Sequence, residues 1–389
     1  MQFTSLKWMC VVLTSSLVGC SQITPLPEHQ VALSQTYPLQ TQGNYQVLSW
    51  DNYVNDQQLI NLVDLALVSN QDLKIASLRI HEAQAAYGIQ RAELFPNIGG
   101  NAGMERNHVP ADLSYVGREM TTSQYSVGLG MNQWELDLWG RIRSLNEAAL
   151  QQFFAVESNV QAVRNSLIQQ TVLSYLTLSE LDKRIYFAQR SVQNYEKSVR
   201  LFKRRYEVGA SSKVEYMQAK TMLSNGQALV TQLEKSRALT ANYLVQLVGQ
   251  PTSLHQTDLD QVTFKTGVLH TGLPSDLLLN RADIRASEAM LKSKHANINA
   301  ARAAFFPRIT LTGSLGTASA DLDGLFKSGS SVWSFAPSIS VPIFTAGRLK
   351  NNLILAEVRK DIGVAEYEKT VQNAFREVSD ALAQQKYLD

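Results

Sequence analysis

A search of this chain for chemistry begins with its six histidines, His29, His81, His108, His255, His270 and His295, which show no HxxH, HxxxH or HExxH spacing. Without two such ligands on one helix face or in one turn, the sequence offers no metal centre. Glu135 and Asp137 come nearest to a carboxylate pair, but in WELDLWGR they alternate with Trp134, Leu136 and Leu138. That alternation reads as a strand end with solvated or lumen-facing acids, not as an acid and a base flanking a scissile bond. There is no G-x-S-x-G elbow and no phosphate-cradling glycine loop. The reading is a chain with no catalytic residue, no metal ligand and no cofactor.

Composition narrows the remaining classes. The formal net charge is +2, 18% of the 389 residues are charged, and no basic run of five or six occurs, so the electrostatic footprint of a nucleic-acid binder is missing. Hydrophobic content of 44% with ordinary aromatic content argues for a folded chain. At the N-terminus Lys7 precedes the apolar run WMCVVLTSSLV, which is too short to span a bilayer and ends in Leu17-Val18-Gly19-Cys20. This ending resembles a bacterial lipobox, which makes residues 1–19 a signal peptide and Cys20 the lipidated first residue. Ser21 lacks the Asp that retains such lipoproteins at the inner membrane. Cys10 lies in the removed part, so no disulfide can form within one mature subunit. One acyl chain anchors weakly, and a second membrane attachment is expected.

That attachment is found in a repeat. AELFPNIGGN at 92–101 returns as AAFFPRITLT at 303–312, and an offset of 211 aligns Asp72–Ile98 with Asp283–Ile309 at seven identities in 27 positions, against about two expected by chance. Each copy starts as a run of good helix formers and is expected to end at its proline, Pro96 or Pro307, because the residue before proline leaves the α region. The period then becomes two. Trp333, Phe335, Pro337, Ile339, Val341 and Ile343 alternate with small residues in the second copy, as Tyr125, Val127, Leu129 and Met131 do in the first. Such alternation fits a half-buried sheet or a transmembrane barrel wall, and the flanking helices favour the barrel. With 97–108 and 308–320 as preceding strands, the chain supplies four strands. Four cannot close a barrel, and an open edge in lipid leaves backbone groups unpaired, so several chains must combine. Strand count alone does not choose between dimer, trimer and tetramer.

Each strand pair ends at a Gly-Arg, Gly140-Arg141 or Gly347-Arg348, and each Gly-Arg opens a long helix. From Arg141 to Tyr206 there is no Pro or Gly, which allows about 100 Å of helix. Leu178, Leu181, Ile185, Ala188, Val192, Tyr195, Val199, Phe202 and Tyr206 step by three and four, the seam of a left-handed coiled coil. The turn VGASS follows, with Gly209 as helix C-cap and Ser211 or Ser212 as N-cap, and a return helix from about Val214 to Val248 makes an antiparallel pair.

The combination resembles the outer membrane factor family, the TolC-like and OprM-like exit ducts of tripartite efflux pumps. It is carried by the lipobox at Cys20, the LFP and FFP junctions, WELDLWGR with PIFTAGR, the tip RRYEVGASSKVEYMQA, and AFREVSDAL at 374–382. The resemblance implies an α+β membrane protein with an internal duplication. In that family a homotrimer builds one twelve-stranded outer-membrane barrel, continued by a long antiparallel α-helical tunnel across the periplasm. It further implies that Arg205, Tyr206, Gly209 and Ser212 lie at the tip that meets a periplasmic adaptor protein, itself coupled to an inner-membrane pump of the resistance-nodulation-division type. Drugs and toxic amphiphiles are the implied cargo, and outer membrane lipid the surrounding medium.

The expected organisation is a signal peptide 1–19, an extended segment 20–58, a helix 59–96, a barrel hairpin 97–139, a helix pair 140–250, a linker 251–274, a helix 275–307, a hairpin 308–346, and the start of a second long helix 347–389. At the Gly-Arg offset of 207, about 68 residues of the first copy have no counterpart. The expectation is a C-terminally truncated duct without its acidic entrance. Its unpartnered seam, Leu355, Val358, Ile362, Ala365, Val371, Phe375 and Val378, should impair assembly. Two other readings remain: a duct for type I protein secretion, whose family members commonly lack a lipobox, and a non-conducting structural lipoprotein or non-functional product, which does not need the alternating strand.

Overall fold

The computed structural model describes residues 54–254 and 280–388, with Thr24–Leu26, Ser34, Thr36, Tyr37 and Trp50. The expected signal peptide, Cys20 and most of the expected linker lie outside the described residues. Two compact units are formed from interleaved segments: residues 1–32, 81–156 and 284–372 make the first, and 33–80, 157–283 and 373–389 the second.

The first unit is built on one antiparallel sheet. Strands β1 (Ile98–Val109), β2 (Met120–Glu135), β3 (Arg308–Ser319) and β4 (Ser331–Ser340) run in the order β1-β2-β3-β4, so among the described residues both outer strands have an unpaired edge. The expected hairpins are joined side by side by the β2–β3 pair, which bridges the two copies. Cross-strand rows such as Gly100–Leu129–Leu315–Trp333 and Ile98–Met131–Gly313–Phe335 form one apolar face. Trp333 is 72% exposed there, and Leu129, Leu315, Phe335 and Ile339 are exposed with it. A water-soluble protein would hide such a surface, whereas a barrel wall turns it to lipid. The opposite rows, Gly99–Gly130–Ser314–Ser334 and Glu135–Thr310–Ser338, are small and polar. Strand β4 stops at Ser340, short of the expected Val341 and Ile343, where Pro342 has no N–H to offer a ladder.

The helices before the strands behave alike in both copies but end earlier than expected. Helix α2 (Gln71–Ala92) and helix α5 (Ala282–Ala303) stop four residues before Pro96 and Pro307. Tight turns follow, Phe95 N bonding Ala92 O and Phe306 N bonding Ala303 O. The expected single helix 59–96 is in fact two, because α1 (Gln57–Ser69) ends at Asn70, whose ψ of 127° is extended. The Asn70 side chain accepts the Leu73 N–H and donates to Leu247 O at 2.9 Å, so it caps α2 and fastens the break.

In the second unit α3 (Arg141–Glu207), whose N-terminal turns belong to the first unit, runs 67 residues without a break and pairs with α4 (Lys213–Val248). The seam is realised with graded burial: Leu178, Leu181, Ile185 and Ala188 are buried, Val192 to Phe202 half-buried, and Tyr206 exposed. Gly226 lets the pair close, since a Cβ there would meet the Tyr195 ring at 3.0 Å. A core of Val54, Leu59, Leu62, Val63, Tyr175, Leu178, Leu244 and Val248 locks α1 onto both long helices. Asp56 caps α1 through the Gln58 and Leu59 amides and accepts the Tyr175 hydroxyl at 2.7 Å. Helix α6 (Arg348–Leu388) leaves Leu355, Val358 and Ile362 exposed, but Val371 is fully buried and Phe375 stacks on Tyr37. The expected bare seam is therefore covered over its C-terminal part. No described helix is long and apolar enough to cross a membrane.

Candidate functional site

Three places bear on function: the sheet, the handover from strand to helix, and the hairpin tip. At the two handovers the Gly-Arg sites have the same backbone conformation. Gly140 and Gly347 have φ of 79° and 83°, and their carbonyls accept the Ser144 and Asn351 amides that begin α3 and α6. A positive φ of that size is routine only for glycine.

Chemically the two handovers differ. The Glu135 carboxylate receives Arg141 Nε and Nη2, both at 2.8 Å, and Arg308 Nε and Nη2 at 2.9 and 2.6 Å. Its side chain is 9% exposed. The expected solvated role is thus corrected: Glu135 lies on the polar face of the sheet, but as an ion-paired clasp between the two copies. Asp137 accepts the Ile142 and Arg143 amides at 3.0 and 2.8 Å and so serves the open N-terminus of α3. Trp139 donates to Pro307 O at 2.7 Å and stacks on Phe306 at 5.0 Å. Trp134 donates to Leu94 O at 3.3 Å. Pro96 and Pro307 therefore stand at the strand entrances, and Arg141 joins Arg308 and Trp139 around the second. Among the described residues Arg348 has no counterpart of this cluster: it is exposed, and Ala346, before Gly347, carries a φ of 49°.

The tip brings its expected residues together. Ala210 N bonds Arg205 O at 2.8 Å and Gly209 N bonds Tyr206 O at 3.0 Å, a Schellman ending with Gly209 at φ 72°. Ser212, not Ser211, is the N-cap of α4, in a reciprocal capping box with Glu215. The Ser211 hydroxyl and then the Ser212 amide hold the Glu215 carboxyl below its usual range. Tyr206 stacks on Tyr216 at 6.1 Å. The sequence reading missed Val208, Val214 and Met217, apolar residues exposed around this turn; the Val beside Gly209 was the available signal. Deeper in the pair, Asp182 and Arg237 form a part-buried ion pair, which raises the guanidinium's pKa above its usual value. Among the described residues no group of three or more His, Cys, Asp or Glu could hold a metal.

The profile described as outer membrane efflux protein matches residues 62–250 and 273–389. The solvent efflux pump outer membrane protein SrpC of Pseudomonas putida is 41% identical over 394 residues, covering 98% of this chain and 83% of that protein. Outer membrane protein OprJ of Pseudomonas aeruginosa is 40% identical over 338 residues, 86% of this chain and 71% of its own. In structure, the open MtrE outer membrane channel of Neisseria gonorrhoeae superposes with a TM-score of 0.84 at 37% identity, covering 95% of this chain and 83% of that one. The four strands are thus one chain's share of an outer-membrane barrel, and the long helices belong to a channel extending into the periplasm. The chain belongs to the outer membrane efflux protein family and is an outer membrane channel component of an efflux pump.

Proposed function

We propose that this chain is the passive exit duct of a tripartite pump that expels apolar and amphiphilic toxic molecules, organic solvents and antibiotics among them. It would work as a homotrimer, lipidated at Cys20, with Arg205, Tyr206, Gly209 and Ser212 presenting the tip to a periplasmic adaptor on an inner-membrane pump of the resistance-nodulation-division type. The observation that carries this reading is the hairpin end: a rigidly capped turn that exposes Val208, Val214 and Met217 on the chain alone, as a helix-to-helix contact requires. The names of the relatives, which speak of solvent, toluene and antibiotic efflux, support the cargo. A small polar inner face with no pocket chemistry suits a conduit, and on this reading the chain itself catalyses nothing. The domain organisation is proposed as expected from sequence, with the first helix divided at Asn70.

The test is Val208→Asp in a strain that depends on this duct. The expected result is loss of tolerance to toluene and amphiphilic antibiotics while the amount of assembled channel in the outer membrane is unchanged. Unchanged tolerance would remove the adaptor contact from this turn. If deletion of the whole gene leaves tolerance intact but stops export of a protein, the type I secretion reading takes its place.

A further inference from the structure

Thr24, four residues after Cys20, is gripped by α5 through every polar atom it has. Its N–H and hydroxyl donate to Asn299 Oδ1 at 3.4 and 2.9 Å, and its carbonyl accepts Asn299 Nδ2 at 3.1 Å and His295 Nε2 at 2.8 Å. Arg302 Nη1 donates to the hydroxyl at 3.3 Å. The carboxamide of Asn299, a residue only 4% exposed, thus reads the N–H and C=O of one residue as a neighbouring strand would, while His295 and Arg302 add a donor one turn away in each direction.

The duplication supplies an internal control. At the offset of 211 the places of His295, Asn299 and Arg302 are taken in α2 by Gln84, Gly88 and Arg91, all of them exposed. Gly88 has no carboxamide to offer, so the first copy cannot hold a chain in this way. The site occurs in one copy of the repeat, and so does the segment that fills it.

Fixing Thr24 leaves a leash of four residues to Cys20, which spans at most about 14 Å. Without this clamp the next long-range hold among the described residues is Tyr37 on Phe375, and the leash grows to seventeen residues. The local concentration of a tethered group falls as roughly the −3/2 power of leash length, here about ninefold. Arg302, which touches Thr24, is followed by the tight turn in which Phe305 N bonds Arg302 O at 3.2 Å. The Phe305 ring is therefore within the short reach, and it stands 43% exposed at the helix-side end of β3. Resting on the lipoprotein reading, we infer that His295, Asn299 and Arg302 form a docking site for the N-terminal strap, and that this site seats the acylated Cys20 against Phe305 at the entrance of β3.

The experiment supplies cells making the full chain with a fatty acid that carries a photoreactive group near its carboxyl end, and maps the adducts formed in outer membranes by mass spectrometry. Trypsin releases residues 303–308, AAFFPR, as one peptide. The expected result is adducts concentrated on that peptide. They should fall severalfold, by about nine at most, with Asn299→Ala and with an insertion of about 13 Gly-Ser residues after Ser21, which leaves α5 untouched. The same insertion after Leu26, between the clamp and Tyr37, should change nothing, because the leash keeps its length. Adducts spread elsewhere in the unaltered chain, equal loss from both insertions, or no loss from the first would overturn the docking site while the lipid stands. An unmodified mass for the peptide beginning at Cys20 removes the lipoprotein reading, and the seat with it.

Discussion

The two handovers from strand to helix have the same backbone and opposite chemistry. At Gly140 an ion-paired Glu135, a capping Asp137 and a bonded Trp139 surround the turn; at Gly347 their places are taken by Pro342, Phe344 and Ala346. The shared feature is the positive φ, which only the turn itself requires. What differs is the neighbour: the first handover touches β3 of the same chain, and the clasp ties Glu135 to Arg308 across 173 residues of sequence. Side-chain chemistry here serves to fasten two copies, not to shape the turn.

Glu135→Ala should break this difference most severely. Arg141 and Arg308 would face each other without a carboxylate, and with both guanidiniums partly exposed the cost is about 3 kcal/mol. The thermal dissociation temperature of the detergent-extracted channel should fall clearly, while Pro342→Ala leaves it in place; equal effects would end the distinction. Trp139→Ala is expected to cost about 2 kcal/mol through the lost bond to Pro307 O and lost stacking on Phe306. Ala346→Gly, at the matching position, should be neutral or stabilising in the same assay, because it relieves a φ of 49°. Gly140→Ala and Gly347→Ala sharpen the common part: each should cost about 1 kcal/mol, with no steric excuse at Gly347, where the nearest atom to a new Cβ is 3.6 Å away. The smallest effect is at the tip. Since the Glu215 carboxyl is held below its usual range, its cap is complete at neutral pH and is lost as pH falls through that lowered value. Protection of the amides of residues 212–216, each rate taken relative to its intrinsic exchange rate at the same pH, should fall only at the acid end, and Glu215→Gln should remove that acid-dependent step.

Much of this was legible because it is local. The two proline entrances, the Gly-Arg turns, the heptad seam and the capped VGASS turn each follow from a few neighbouring residues. The clasp was not legible, since WELDLWGR shows an alternating strand end and nothing in it announces an arginine from the other copy. Asn70 looked like any polar residue in a helical run; its partner, Leu247 O, lies 177 residues away. A bulge in β2 lay hidden in the sequence as the drop in offset from 211 to 207, and only the observed register, Met131 opposite Gly313 but Trp134 opposite Leu311, shows one extra residue between them.

The order β1-β2-β3-β4 also has a consequence for timing. Joining β2 to β3 is a first-order event within one chain, but on the proposed homotrimer the outer strands β1 and β4 find partners only on encounter, which depends on how many copies share the membrane. Until a neighbour arrives, each newly made subunit carries two sticky borders that would accept any extended segment. Expression level therefore sets how long a subunit stays unfinished, and scarce subunits are the ones most exposed to mispairing and to proteases.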